Sequence, residues 1–328
     1  MSKKILSFIL NNLIWFLLLL VIAFFSAVTG KFLTITNLIN ILLHAAVLGM
    51  LSIGMSFVLV TGNLDISIES TLAISAMIGA YLVTPAGIPY YGSGLNVPIF
   101  IAVSLGLLFS LFIGFVNGNL ITHFHMNNFI VTLAMLIAVR GLMRVPTYGN
   151  TIYYTPEAYN AFGASKIGGI PLPVITLLVC FIIAYFLLSR TRFGRELYAI
   201  GGNKEAARAS GINPEKRIRQ VYLISAFLAG LAGWMIAGRL TSVIGNLGEG
   251  MSFEVLAACV VGGVSLQGGR GTIIGLFGGV LLLSTVGSGL NLTNVSAFWV
   301  STIRGLIILL AMIIDSQKIR LGKQILLK

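Results

Sequence analysis

Of 328 residues, 57% are hydrophobic and only 9% are charged, and the mean hydropathy is +0.99, where a soluble domain carries about 25% charged residues. This excludes a soluble globular protein and identifies an integral helical membrane protein; long continuous apolar runs, without alternation, disfavour a β-barrel. The net charge of +12 does not point to nucleic acid, because the basic residues gather in one central loop and two tails (Lys3, Lys4; Lys318, Arg320, Lys323, Lys328), where anionic lipid headgroups are their default partner.

In chain order, the apolar windows predict spans at 8–28, 38–60, 64–84, 97–121, 128–145, 171–188, 220–240, 253–266, 270–290 and 296–314. Lys3-Lys4 followed by an apolar stretch resembles a signal peptide. The run continues past Val21 without a small-x-small cleavage site, which favours an uncleaved first helix. The second and third windows, and the eighth and ninth, are separated by a few residues, and the eighth is too short to cross upright. Broken or re-entrant helices there give a count of eight to ten. The 38 glycines suit helices that approach through small residues. Cys180 and Cys259 lie singly in apolar runs and support no disulfide framework.

With ten spans the two ends share a side. Placing the Lys-rich tails inside puts the loop 189–219 inside, and loops 85–96 and 146–170, with Lys166 as their one basic residue, outside. The expected fold is all-α: a polytopic transmembrane helix bundle of about ten spans, both termini cytoplasmic, forming one domain over 1–328.

The first polar island is Thr61–Ser70. Asp65 and Glu69 are four apart and share a face if that stretch is helical. A carboxylate at membrane depth costs about 2.5–3.5 kcal/mol and needs a cavity, a partner or a helix end. Two readings stand: a broken helix facing a solute path, or a tight turn at the cytoplasmic surface whose acids face water. Asn117, Asn119, Asn127 and Asn128 cluster around the end of the fourth span, as polyol ligands or as helix caps. Arg140 and Arg304 fall inside spans five and ten, lining a path, holding a carboxylate such as Asp65 or Glu69, or closing a structural pair.

The loop 190–219 has eight basic residues against Glu196, Glu205 and Glu215. Gly201-Gly202 ends the preceding helix. Asn203 is an N-cap for Lys204–Ser210, Gly211 fits the left-handed position after a helix, and Asn213-Pro214 opens the next one. A two-turn capped helix is a docking element. The glycine-rich island Gly262–Gly271 parallels the first one and hints at an internal repeat. It lacks the end of a Walker sequence, and no such motif occurs in the chain, so ATP hydrolysis is not expected here. His123 and His125 lack a third metal ligand. Phe298-Trp299 reads as an interfacial anchor.

Five segments in this order carry a family resemblance: GMSFVLVTGNLDISIES (54–70), NNFIVTLAMLIAVRGL (127–142), RTRFGRELYAIGGNKEAARASGI (190–212), AACVVGGVSLQGGRGTIIG (257–275) and GLNLTNVSAFWVSTIRGLIILLA (289–311). They resemble the permease subunit of the ribose-type, simple-sugar ABC importers, the second carbohydrate-uptake class of bacteria. The resemblance implies a multi-pass subunit of the bacterial inner membrane that pairs with a second permease copy or a paralogue. It implies two further partners, a cytoplasmic ABC ATPase and a periplasmic sugar-binding protein. ATP and Mg belong on the ATPase, and no cofactor is expected on this chain.

By the same resemblance, Asn203, Lys204, Glu205, Ala206, Ala207, Arg208, Ala209, Ser210 and Gly211 match the segment that couples permease to ATPase. The expected substrate is a monosaccharide or small polyol, and Asp65, Glu69, Asn117, Asn128 and Arg304 are the candidate pathway residues. The sequence departs from the family's glycines at Asn63 and Glu69, and from its proline at Asn127-Asn128, which loosens the expected helix start. The alternative is an ion-coupled secondary transporter with Asp65 or Glu69 as its proton or sodium site. A membrane enzyme acting on lipid-linked sugars would need clustered acids or histidines near a basic headgroup site, and the sequence has no such cluster.

Overall fold

The computed structural model describes residues 13–293 and, beyond them, 295, 296, 299, 300, 302, 303, 305, 306 and 309. The helices are α1 (Leu13–Val28), α2 (Ile35–Val60), α3 (Ile68–Val83), α4 (Ile99–Thr122), α5 (Asn128–Arg144), α6 (Glu157–Ala164), α7 (Leu172–Arg190), α8 (Arg192–Gly202), α9 (Lys204–Ala209), α10 (Pro214–Leu240), α11 (Met251–Val261) and α12 (Ile273–Leu292). A two-residue hairpin, β1 (Lys166–Ile167) with β2 (Ile170–Pro171), precedes α7.

Among the described residues, six helices are long and apolar enough to cross a membrane: α2, α4, α5 with the turn that follows it, α7, α10 and α12. The apolar helices α1, α3 and α11 are shorter. Each of the first nine apolar windows therefore carries a helix. Both Lys-rich tails, most of the tenth window and Arg304 lie outside the described residues. The segment 146–170 is not a plain loop: a 3-10 turn at Val145–Thr147, α6 and the hairpin fold within or against it.

Burial sorts the helices into an inner and an outer set. In the most apolar stretch of α2, 83% of residues are buried, against 33% in α4 and α7 and 28% in α5. The outer helices turn Phe112, Phe129, Ile137 and Ile182 outward, as a lipid-facing surface requires. The inner helix α10 lies against α2, α3 and α4. Small residues make this possible: a Cβ on Gly233 of α10 would overlap the Leu72 carbonyl oxygen of α3, and one on Gly54 of α2 would lie 2.9 Å from the Ser225 Cα.

The ends of α2 and α4 and the starts of α5, α10 and α12 gather at one end of the bundle, with α8 and α9. There the Gly269 N–H donates to the Val60 carbonyl at 2.9 Å and Tyr198 Oη to the Gly271 carbonyl at 2.7 Å. Arg219 Nη1 reaches Asn119 Oδ1 at 3.5 Å. At the opposite end, Ile152 bridges to Val243 and Arg144 Nε donates to the Gly245 carbonyl. The two ends are separated by the 27 residues of α10, about 40 Å of helix.

Candidate coupling surface and buried polar seam

The segment 203–211 is built by its own local chemistry. Asn203 Oδ1 accepts the Ala206 N–H at 2.9 Å, α9 runs from Lys204 to Ala209, and Gly211 has φ +81°. Asn213 Oδ1 accepts the Lys216 N–H at 2.9 Å, and Pro214 opens α10. Only Ala207 of α9 is buried; Glu205 is 79% exposed at its side chain. Arg208 pairs with Glu215, and Lys204 Nζ lies 3.5 Å from the same carboxylate. Thus α9 is tied at its base to α10 and free on its outer face.

Helix α8 anchors this arm. Its Phe193, Leu197 and Ile200 follow the i, i+4, i+7 spacing of one helix face; Leu197 and Ile200 are buried, and the Phe193 ring lies tilted against Phe57 with centroids 6.3 Å apart. Glu196 takes Arg217 of α10 and Arg192 of its own helix, the latter at 2.7 Å. The Arg217 hydrogen bond holds the Glu196 carboxyl below its ordinary value, against the opposing effect of burial, with Arg192 adding to it. Gly201, which reads in sequence as a helix breaker, is also a contact: a Cβ there would overlap the Val60 carbonyl and the Gly269 N–H, and one on Gly268 would sit 2.7 Å from the Gly62 nitrogen. The two glycine islands, Thr61–Ser70 and Gly262–Gly271, meet α8 here backbone to backbone.

Between α2 and α3 the chain is non-helical from Thr61 to Ser67. Asp65 and Glu69 consequently do not share one helical face. Asp65 is 2% exposed; its carboxylate accepts the Ser67 N–H at 3.1 Å, the Ser67 hydroxyl, and the Ser225 hydroxyl of α10 at 3.1 Å. Asn117 Nδ2 donates to Ser67 Oγ at 2.9 Å, and Tyr222 Oη to the Leu64 carbonyl at 2.8 Å. Glu69 sits in the first turn of α3, where the helix dipole favours an acid, and is 4% exposed. It accepts Arg140 Nη2 of α5 at 3.2 Å and the Ser252 N–H of α11 at 3.0 Å; Arg140 Nη1 also holds the Leu247 carbonyl. Neither acid faces water.

Asn128 Nδ2 donates to Asn63 Oδ1 at 3.1 Å, so Asn63 and Asn128, both departures from the family pattern, are bonded to each other. Asn127 caps α5, accepting the Phe129 N–H at 2.9 Å; that helix start is fastened rather than loosened. Of the candidate pathway residues, Asp65 and Asn117 meet in one network, Glu69 belongs to a neighbouring one across the Ile66–Ser252 bond, and Asn128 lies at the bundle end. The partners Ser67, Tyr222, Ser225 and Ser252 escaped sequence reading. Their one signal is a hydroxyl inside or beside an apolar run.

The comparisons agree on one family. A family model described as branched-chain amino acid transport system / permease component matches residues 37–312. The ribose import permease protein RbsC of Bacillus subtilis (strain 168) is 38% identical over 303 residues, 92% of this chain and 91% of that one. The L-arabinose ABC transporter permease protein AraH of Azospirillum brasilense is 35% identical, covering 92% and 86%. The galactose/methyl galactoside import permease protein MglC of Haemophilus influenzae (strain ATCC 51907 / DSM 11121 / KW20 / Rd) is 31% identical, covering 94% of each. No solved structure matches. These relatives do not favour an ion-coupled secondary transporter. The chain belongs to this family of transport-system permease components, alongside sugar-import permeases, and is a membrane transport subunit rather than an enzyme.

Proposed function

We propose that this chain is the membrane-spanning subunit of an ATP-driven importer that moves a monosaccharide or small polyol across the bacterial inner membrane. A periplasmic binding protein delivers the sugar, a cytoplasmic ABC ATPase supplies the energy, and a second permease copy or paralogue completes the channel. The relatives' names supply the substrate class. A neutral polyhydroxy solute also suits a polar seam of Asn, Ser and Tyr in which Glu69 is already paired with Arg140. The topology has about ten spans with both termini and residues 190–219 inside.

The observation that carries the reading is α9: short, capped at both ends, fused to α10 through Gly211–Asn213, and exposed on the face away from the bundle. Closure of the ATPase domains moves α9 as a unit. Movement of α10 then shifts Tyr222 and Ser225, which hold the Leu64–Asp65 turn. Access alternates, and no bond in the sugar changes.

Gly211→Val tests this. Nothing lies within 4 Å of a Cβ at Gly211, so the variant introduces no clash. It forces a β-branched residue to φ +81°, a cost of about 1–2 kcal/mol, confined to the α9 terminus. The variant should insert normally yet lose its ATPase on purification or uncouple hydrolysis from uptake. Gly211→Asn, which tolerates the left-handed region, should retain both. A Val variant that co-purifies with its ATPase and imports at the unmodified rate removes the coupling assignment.

A further inference from the structure

The segment 241–250 joins α10 to α11 without a helix of its own. Its two ends lie at different levels. Leu240 closes the 27 residues of α10, about 40 Å from the coupling end where α8 and α9 lie. Met251 opens an 11-residue helix that returns to the coupling end, so it stands only about 16 Å from it. The strap between them descends along α5 into the bundle. Arg144 Nε holds its Gly245 carbonyl at 2.9 Å, and one helical turn deeper Arg140 Nη1 holds its Leu247 carbonyl. Arg144 is the last of the 17 residues of α5, about 25 Å from the coupling end and within a hydrocarbon core about 30 Å thick.

Irregular backbone at that depth is tolerated only where it is buried in protein or faces water. The strap does both. Val243 and Leu247 are buried, whereas Thr241, Asn246, Glu249 and Gly250 are exposed. Arg144 and Glu249 lie 3.7 Å apart with 45% and 60% of their side chains exposed. A charge pair this open would be costly against lipid. The outer helices, by contrast, expose apolar side chains such as Val179 and Ile182 of α7.

We propose that the strap 241–250 lines the water-filled outer half of the solute path, with Arg144, Asn246 and Glu249 as the polar groups a passing sugar meets. This rests on the transport reading given above. The Glu249 carboxylate accepts hydrogen bonds, Arg144 donates them and Asn246 does either, which matches the mixed donors and acceptors of a neutral polyol. Because Arg144 and Glu249 offset each other, this stretch of path carries no net charge to attract ions. It is an open surface rather than an enclosed binding site, and passage needs contacts weak enough to release.

Single cysteines in a Cys180→Ala background, in intact cells carrying the whole transporter, test this with a charged, impermeant methanethiosulfonate. Asn246→Cys should label from the periplasm. Val179→Cys, exposed about midway along α7, should not, because a thiol in hydrocarbon does not form the reactive thiolate. Labelled Asn246→Cys should lose most of its uptake across a panel of labelled pentoses and hexoses, yet keep its ATPase on purification. Glu249→Cys is the second probe if the first fails to assemble, since losing an exposed ion pair costs about 1 kcal/mol or less. Labelling at both positions no faster than at Val179 overturns the proposal. So does complete labelling that leaves uptake unchanged. If the unlabelled protein imports none of the panel, the transport reading fails, and periplasmic labelling still decides whether the strap faces water.

Discussion

The Glu69–Arg140 pair can be dissected by a double-mutant cycle. Arg140→Met removes the guanidinium from a carboxylate that is 4% exposed and leaves it the hydrogen bond from the Ser252 N–H at 3.0 Å. It also orphans the Leu247 carbonyl that Arg140 Nη1 holds. Breaking one side of a buried pair costs about 3–5 kcal/mol, on the order of 10 °C in Tm for a chain of this size. Glu69→Met strands Arg140, which keeps Leu247, and should cost somewhat less. The double variant, with two apolar side chains of similar volume, should lose far less than the two single losses summed, because the desolvation penalties of both charges vanish together and only the unpaired Leu247 carbonyl and Ser252 N–H remain as a cost. The coupling energy should therefore be about 3 kcal/mol or more. Thermal unfolding of the four proteins in one detergent, followed by tryptophan fluorescence, measures it. If the two single losses simply add in the double variant, the pair does not hold α3 to α5 and the reasoning fails.

Three further outcomes are expected. With single cysteines at Lys204, whose side chain is 41% exposed, and at the exposed Lys166, an impermeant thiol reagent should reach the second from the periplasm and the first only from the cytoplasm; Gly163 would be a poor probe, because a side chain there overlaps Met235 and Arg239. Asn203→Ala removes the cap on α9 and should weaken ATPase retention by about 1 kcal/mol, roughly fivefold in Kd, in a pull-down titration. The carboxyl of Glu196 lies below its ordinary 4.5, so its bonds to Arg217 and Arg192 stabilise the fold at neutral pH and are lost as pH falls from 4.5 through the lowered value. Glu196→Gln should lower Tm at pH 7, and the gap to wild type should close under acid; a constant gap would refute the ionic origin.

The elements legible in sequence are those whose cause is local. Asn203, Gly211, Asn213 and Pro214 each act within four residues, and the structure has the caps where those residues stand. Apolar runs likewise marked each of the nine described apolar helices. The polar seam was half legible. Asp65 and Glu69 stood out as charges in an apolar region, but their partners Ser225 and Ser252 lie 160 and 183 positions away. No local pattern encodes such pairings. The four-residue spacing of the acids puts them on one face only within a helix, and the structure leaves Asp65 in the non-helical stretch before α3 while Glu69 lies inside it. Arg140 was open to three readings, and only its position on the face of α5 toward Glu69 decides among them. The hairpin at 166–171 was hidden by its size, two residues to a strand.

The junction of Val60–Gly62, Gly201-Gly202 and Gly268-Gly269 has a consequence for recombination. Three segments from distant parts of the chain meet there through main-chain atoms. Such a contact depends on the absence of side chains, not on their matching. A chimera that takes its first helices from one relative and its last from another therefore needs no compensating change at this joint, provided each parent keeps its glycines. The Glu69–Arg140 and Asp65–Ser225 contacts are different, since each requires a particular residue on both sides of the crossover. Swaps with breakpoints between α3 and α5, or between α3 and α10, should fail far more often than swaps that separate only the glycine turns. Shuffled genes selected for uptake would display that asymmetry directly, and the surviving breakpoints would trace which joints of the bundle are interchangeable.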